Sequence, residues 1–245
     1  MTWLSEPLTA FDLETTSAEP DECHIVTATL VTIRPNAEPV VDSWLADPGC
    51  EIPAEASEIH GISTEHAREH GEPLAKVVAE VAAGLMDAWS IGPVIAYNAS
   101  FDLTVVTREV ARLGGQFEVA GYVIDPMVID KGVDRYRKGS RKLGDVCAHY
   151  GVKLDNAHDA TEDALAAARL AWVLARRYPR VGETTLDELH GRQRRWFAEQ
   201  QESFADYLAV KVAPGIADAD ERAAVVARAN RIAADADGWP VRGAA

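Results

Sequence analysis

Cysteine is scarce: Cys23, Cys50 and Cys147 are the only three in 245 residues. They lie too far apart for a zinc cluster and are too few for a disulfide framework, so they read as structural thiols. Long apolar runs are missing too. No stretch of about 18 uncharged apolar residues occurs, the length a membrane-spanning helix needs, and this argues against a membrane role. The opening MTWLSEPL has neither the basic region nor the apolar core of a secretory signal, and a cytoplasmic location is the expectation. Positive charge is short in one part of the chain. Residues 1–100 hold 3 basic and 17 acidic side chains, whereas 101–245 hold 21 and 22, so the formal net charge of −15 belongs almost wholly to the first part.

What is present is the mixture of an ordinary globular protein, 47% hydrophobic and 26% charged. The length suffices for one catalytic-sized domain with an appendage. Segments 8–13, 24–33 and 39–46 are β-prone and closely connected, which predicts an antiparallel meander. Apolar residues at 74, 77, 78, 81, 82, 85, 86 and 89 then follow a helical period. Short strands are expected over 93–98 and 122–126, with a helix between them ending near Gly114 and further helices near 140–150 and 160–178. The resulting order, β-β-β-α-β-α-β-α-α, predicts an α/β fold with a mixed β-sheet flanked by helices. Beyond Pro179 the pattern becomes wholly helical. One long helix over 184–211 is expected to turn Leu186, Leu189, Trp196, Phe197, Phe204 and Leu208 to one side, and an Ala-rich one to cover 218–237. The division is therefore 1–179 for the main domain and 180–245 for a C-terminal helical extension packed on it.

Three segments carry chemistry. In LTAFDLETTS, Asp12 and Glu14 are two residues apart in a strand, so they project from the same face. Adjacent carboxylates repel unless a proton or cation lies between them, and oxygen-only ligands favour a hard ion such as Mg²⁺ or Mn²⁺. A strand end with both acids in solvent would look the same, so the pair needs company. In VIAYNASFDLTVV, Asp102 begins a helix directly after a buried strand, where open α/β sheets gather functional groups. Asn98 is placed to fix that loop through backbone hydrogen bonds, while Ser100 or Asp102 also suits a helix N-cap. In NAHDATEDALAAARLAW, His158 precedes a helix whose start carries Asp163, and the small residues after it permit close approach to the sheet. A loop histidine titrates near operating pH and suits a general base. The stretch KGVDRYRKGSRK, 131–142, sets six cations against Asp134 alone. It reads either as a phosphate-touching loop or as a solvated one.

FDLETT, NASFD and HDATEDA, in this order and spacing, resemble the three motifs of the DEDDh 3′→5′ exonuclease family, of which the proofreading (epsilon) subunits of bacterial DNA polymerase III are members. IPAEASEIHGIS also looks like a segment common there. The resemblance covers about residues 6–178; Ser17 departs from it, since Gly frequently follows the paired threonines. It implies a ribonuclease H-like fold. It also implies Asp12, Glu14, Asp102 and Asp163 as ligands of two Mg²⁺ or Mn²⁺ ions, with His158 as general base. Leu13, Thr15 and Thr16 are implied to hold the terminal nucleotide, with His60 near its sugar or base. The substrate implied is a DNA 3′ end, single-stranded or frayed, with RNA as the rival and a non-catalytic accessory module as the alternative from another class. QRRWF, 193–197, loosely resembles a clamp-binding peptide, and polymerase or clamp contact through the C-terminal helices is one expectation. The helical period favours Trp196 and Phe197 as core contacts instead.

Overall fold

A computed structural model of the chain describes residues 3–154 and 160–243. Strands β1 (Leu8–Thr15), β2 (Ile25–Ile33) and β3 (Val40–Asp47) form the antiparallel meander expected of them. Two seven-residue helices follow, α1 (Ala54–His60) and α2 (Thr64–His70), then the two-residue strand β4 (Glu72–Pro73). Next come α3 (Leu74–Ile91), β5 (Val94–Ile95), α4 (Ala99–Arg112) and β6 (Val123–Ile124). Helices α5 (Pro126–Val133), α6 (Leu143–Tyr150), α7 (Ala160–Arg177), α8 (Pro179–Gly182), α9 (Leu186–Tyr207) and α10 (Ala219–Ala234) complete the chain. The sheet order is β4-β3-β2-β1-β5-β6, with β5 parallel to β1 and β6 parallel to β5.

β1 lies in the middle of this sheet and is covered on both faces. Phe11 and Leu13 pack with Val77, Val81 and Leu85 of α3 and Leu103 of α4, whereas Leu8 and Ala10 pack with the Ala-rich side of α7. The two-residue period of the strand therefore puts Asp12 and Glu14 on the α7 side. Ala164, Ala167, Ala168 and Ala171 are all buried there; their short side chains let the helix approach the sheet closely, as the small-residue run predicts. Of the α3 stripe, Val77, Val78, Val81 and Leu85 are buried and Met86 is exposed.

Several expectations need correction. The strand read over 122–126 stops at Ile124, because Asp125 and Pro126 already start α5: the Asp125 carboxylate caps the amides of Met127 and Val128, and Pro126 fits a first helical turn. Helices α1 and α2 and strand β4 lacked a pattern long enough to register. The basic stretch 131–142 begins inside α5, and two of its cations face inward. Arg137 donates to the fully buried Asp130 at 2.9 Å, Arg141 donates to the same carboxylate, and the Tyr150 hydroxyl completes the cluster at 2.9 Å. The long C-terminal helix ends at Tyr207 and passes through a wider turn, Leu208–Val212, into a 3₁₀ turn, Ala213–Gly215, where Pro214 cannot extend it. Leu189, Phe197 and Leu208 are buried as expected, but Phe204 is 42% exposed.

Gln193 of α9 is completely buried and ties that helix to the sheet. Its Oε1 accepts from the Asp125 amide at 2.7 Å, and its Nε2 donates to the Val123 carbonyl at 2.9 Å. Trp196 packs against Gly132, where a side chain would collide with its ring. Gln193→Leu keeps the volume and strands both backbone groups. Each unpaired buried group costs about 1–3 kcal/mol, so a loss of roughly 2–5 kcal/mol in urea unfolding is expected; a change below about 0.5 kcal/mol, the scale of a surface substitution, would show that α9 is not held this way.

Candidate active site

The catalytic-looking residues gather at the end of β1, where the strand leaves the sheet. A register irregularity between Glu14 and Thr15 marks that end. Just beyond it, the Thr16 amide donates to the His24 carbonyl and the Thr16 hydroxyl accepts from the His24 amide, both at 3.0 Å. The Thr15 hydroxyl donates to the Ser17 carbonyl at 2.7 Å, closing the turn at the position that departs from the family pattern. His24 is held in turn by Glu109 of α4 (2.8 Å), a buried carboxylate that also pairs with Arg112 at 3.1 Å.

Three of the acids converge. One carboxylate oxygen each from Asp12, Glu14 and Asp163 can be chosen so that all lie within 4.8 Å of one another, and all three side chains are half-buried. Asp102 is buried beside them in the first turn of α4, and its Oδ1 accepts from the Leu13 amide at 3.2 Å, locking the helix to the strand between the two β1 acids. It is not among the three converging ligands. Burial raises Asp12 well above the usual carboxylate range, and the charges of Asp102, Glu14 and Asp163 add to the effect. Burial, then Asp163, pushes Glu14 up to about 7. Asp102 is also raised by burial, against backbone amides that pull it down. Such a cluster cannot be fully ionised without a cation to share. Three hard oxygen donors on fixed elements fit a divalent ion of the Mg²⁺ or Mn²⁺ type.

The other expected residues fall as follows. His158 lies outside the described residues. His60 ends α1, its Nδ1 accepts from the Ile62 amide at 3.2 Å, and it lines a hollow of about 370 Å³ with Glu14, Thr29, Ser43, Trp44 and Thr161. That space is at the small end of ligand pockets, and of the acids Glu14 lines it. Asn98 caps α4 in the left-handed region (φ 64°) without a side-chain cap; its amide donates to Asp125 at 3.1 Å.

Asp125 is the residue that sequence reasoning missed. Fully buried, it accepts from the Asn98 and Ala99 amides of α4 (3.1 and 2.9 Å) as well as from the Met127 and Val128 amides of α5 (2.9 and 3.3 Å). One carboxylate therefore serves the positive ends of two helices. Burial still pushes it up to about 6. The Asp-Pro pair at the strand's end was the available signal.

The family model RNase_T, described as Exonuclease, matches residues 9–171. DNA polymerase III PolC-type of Clostridium perfringens is 26% identical over 165 residues, which cover 65% of this chain and 10% of that protein. The structure of E. coli exonuclease I in complex with a dT13 oligonucleotide matches with a TM-score of 0.59 at 18% identity, over 71% of this chain and 42% of that one. A product-bound structure of exonuclease I matches with a TM-score of 0.60 at 18% identity, over 72% and 45%. At that identity the likeness is one of fold, and it is the expected ribonuclease H-like fold. The chain spans a tenth of the polymerase and under half of exonuclease I. Matched over two thirds of its length by that family model, the chain belongs to the DEDD-type 3′→5′ exonuclease family.

Proposed function

We propose that this chain is a metal-dependent exonuclease of the DEDDh type that removes nucleoside 5′-monophosphates from the 3′ ends of DNA. The convergence of Asp12, Glu14 and Asp163 carries this reading. Support for DNA over RNA comes from the relatives, which are by name a DNA polymerase and an exonuclease seen with dT13. Residues 1–179 form the nuclease domain in this reading and 180–245 its helical extension.

Asp12, Glu14, Asp102 and Asp163 would hold two Mg²⁺ or Mn²⁺ ions, which would supply activation of water and stabilisation of the leaving oxygen. The chain's own groups do the rest. Water attacks the last phosphorus, His158 accepts the proton that the water loses, and the bond to the 3′ oxygen of the preceding sugar breaks, that oxygen taking a proton from solvent to become a hydroxyl. The Leu13 backbone, fixed by Asp102, lies between the two β1 acids and is suited to hold the terminal nucleotide with Thr15 and Thr16. His60 and Trp44 line the hollow next to Glu14 and are placed to receive its sugar or base. In the QRRWF segment Phe197 is buried and Trp196 packs on Gly132, so these rings serve the core.

Asp12→Asn and Asp163→Asn are expected to slow 3′ shortening of labelled single-stranded DNA at least about 100-fold, since stabilisation worth several kcal/mol is removed. Strand binding should survive. Chelator should abolish turnover, and a matched RNA strand should be cut more slowly. Undiminished activity in Asp12→Asn would overturn the assignment. A second expectation concerns pH. Glu14 must lose its proton to become a ligand, and its carboxyl is held at about 7. Mn²⁺ affinity, followed by calorimetry, should therefore fall as pH drops below 7, by up to about tenfold per unit for each proton displaced. Flat affinity between pH 6 and 8 would exclude Glu14 from the ligand set.

A further inference from the structure

Two hollows run together where the C-terminal helices meet the main body. One, of about 740 Å³, lies between α9 and the connection from α5 to α6; the other, of about 540 Å³, lies between the 17–21 turn, the start of α4 and α10. Lys131 and Phe204 line both, so they form one groove. Its inner end is at Ala18, Glu19 and Asn98. These residues follow the acids of β1 and precede the helix that carries Asp102. The groove therefore opens at the catalytic end of the sheet.

Its charge runs against that of the whole molecule. In a chain of net charge −15, the first hollow is lined by four Lys and Arg side chains against the single acid Glu199. The second has five against three, Lys131 being common to both. Some are already engaged: Arg108 pairs with Asp21 at 2.7 Å, and Arg137 and Arg141 serve Asp130. Arg135 reaches Glu199 only at 3.8 Å, between two exposed side chains. Lys131, Arg228 and Arg231 make no ion pair among the described residues. Aromatic rings stand among these cations without core packing to explain them: Phe204 is 42%, Tyr207 55% and Tyr136 88% exposed.

Cations along a groove, interleaved with open aromatic faces, match a nucleic-acid strand whose bases are unpaired, because a duplex hides the faces that would stack. We infer that this groove holds the single strand upstream of the nucleotide being removed. Phosphates lie along Lys131, Arg135, Arg228 and Arg231, and bases lie against Phe204, Tyr207 and Tyr136. The inference rests on the exonuclease reading for its direction, 3′ end at the acids and 5′ portion toward α9 and α10. About half of the groove's lining comes from residues beyond the 9–171 that match the family model, so α9 and α10 share strand holding with α5 and the connection after it.

Anisotropy of 5′-labelled oligodeoxynucleotides on the full chain tests it, using a strand of about 20 nucleotides and a trinucleotide. Arg228→Glu/Arg231→Glu should weaken the long strand about tenfold or more and lower the salt slope by roughly 1.4, about 0.7 for each phosphate no longer neutralised. The trinucleotide, confined to the inner hollow, should lose less of its affinity than the long strand does in Tyr207→Ala, a change in the outer hollow alone. Phe204→Ala/Tyr207→Ala should weaken the long strand without changing the slope. Arg176→Glu, a charge reversal on α7 outside the groove, controls for net charge. Equal affinity of the wild type and the groove variants for the long strand overturns the proposal, as does an equal weakening in Arg176→Glu. Trinucleotide turnover by the wild type reports separately: long-strand binding abolished in the groove variants with no cleavage at all would overturn the exonuclease reading and leave the groove standing.

Discussion

Like charges held together against their repulsion are the constraint around which this molecule is organised. Asp12, Glu14 and Asp163 present oxygens within 4.8 Å of one another, and Asp102 is buried beside them. Left to itself such a cluster would spread or take up protons. The frame does not let it spread. Two of the acids are fixed by a central strand covered on both faces, one by a helix whose alanines bring it against that strand, and one by a bond to the strand's own backbone. The repulsion is thereby kept within an assembled site, and a divalent ion is the kind of ligand that would relieve it.

The support behind this cluster is also charged, and it is handled differently. Asp125 and Asp130 are both fully buried near the end of β6. Asp130 is neutralised by Arg137 and Arg141 and takes a hydrogen bond from Tyr150. Asp125 has no such ion pair among the described residues; it is satisfied by four backbone amides at the starts of two helices. By holding the first residues of α4 it fixes where Asp102 begins its turn. A carboxylate outside the acidic cluster thus sets the position of one beside it.

Much of this was legible in the chain. The β1–β3 meander announces itself through Val, Ile and Thr, α3 and α7 through long apolar periods, and the acids through their place at strand and helix ends. What was not legible has physical reasons. Helices α1 and α2, seven residues each, are too short for a period to stand out, and the strands expected over 93–98 and 122–126 are present but pair through only two residues each. The inward turn of Arg137 and Arg141 depends on Asp130, which sits in a helix that was read as strand end and loop. Phe204 follows the apolar period of α9 but faces a groove and stays 42% exposed. Composition shows an acidic chain, and only the folded arrangement of α5, α9 and α10 separates a basic groove from it.

Gln193 has a meaning beyond holding a helix. β6 is the last strand of its sheet, and an uncovered last strand offers its peptide groups to any extended segment that comes by. The Gln193 side chain is a primary amide, and it occupies the Val123 carbonyl and the Asp125 amide as a neighbouring peptide would. The opposite margin is equally guarded, since β4 is two residues long and one of them is Pro73. A nuclease core cut away from α9 would therefore lose more than a helix: it would expose an open template for strand addition, and self-association would be its characteristic failure.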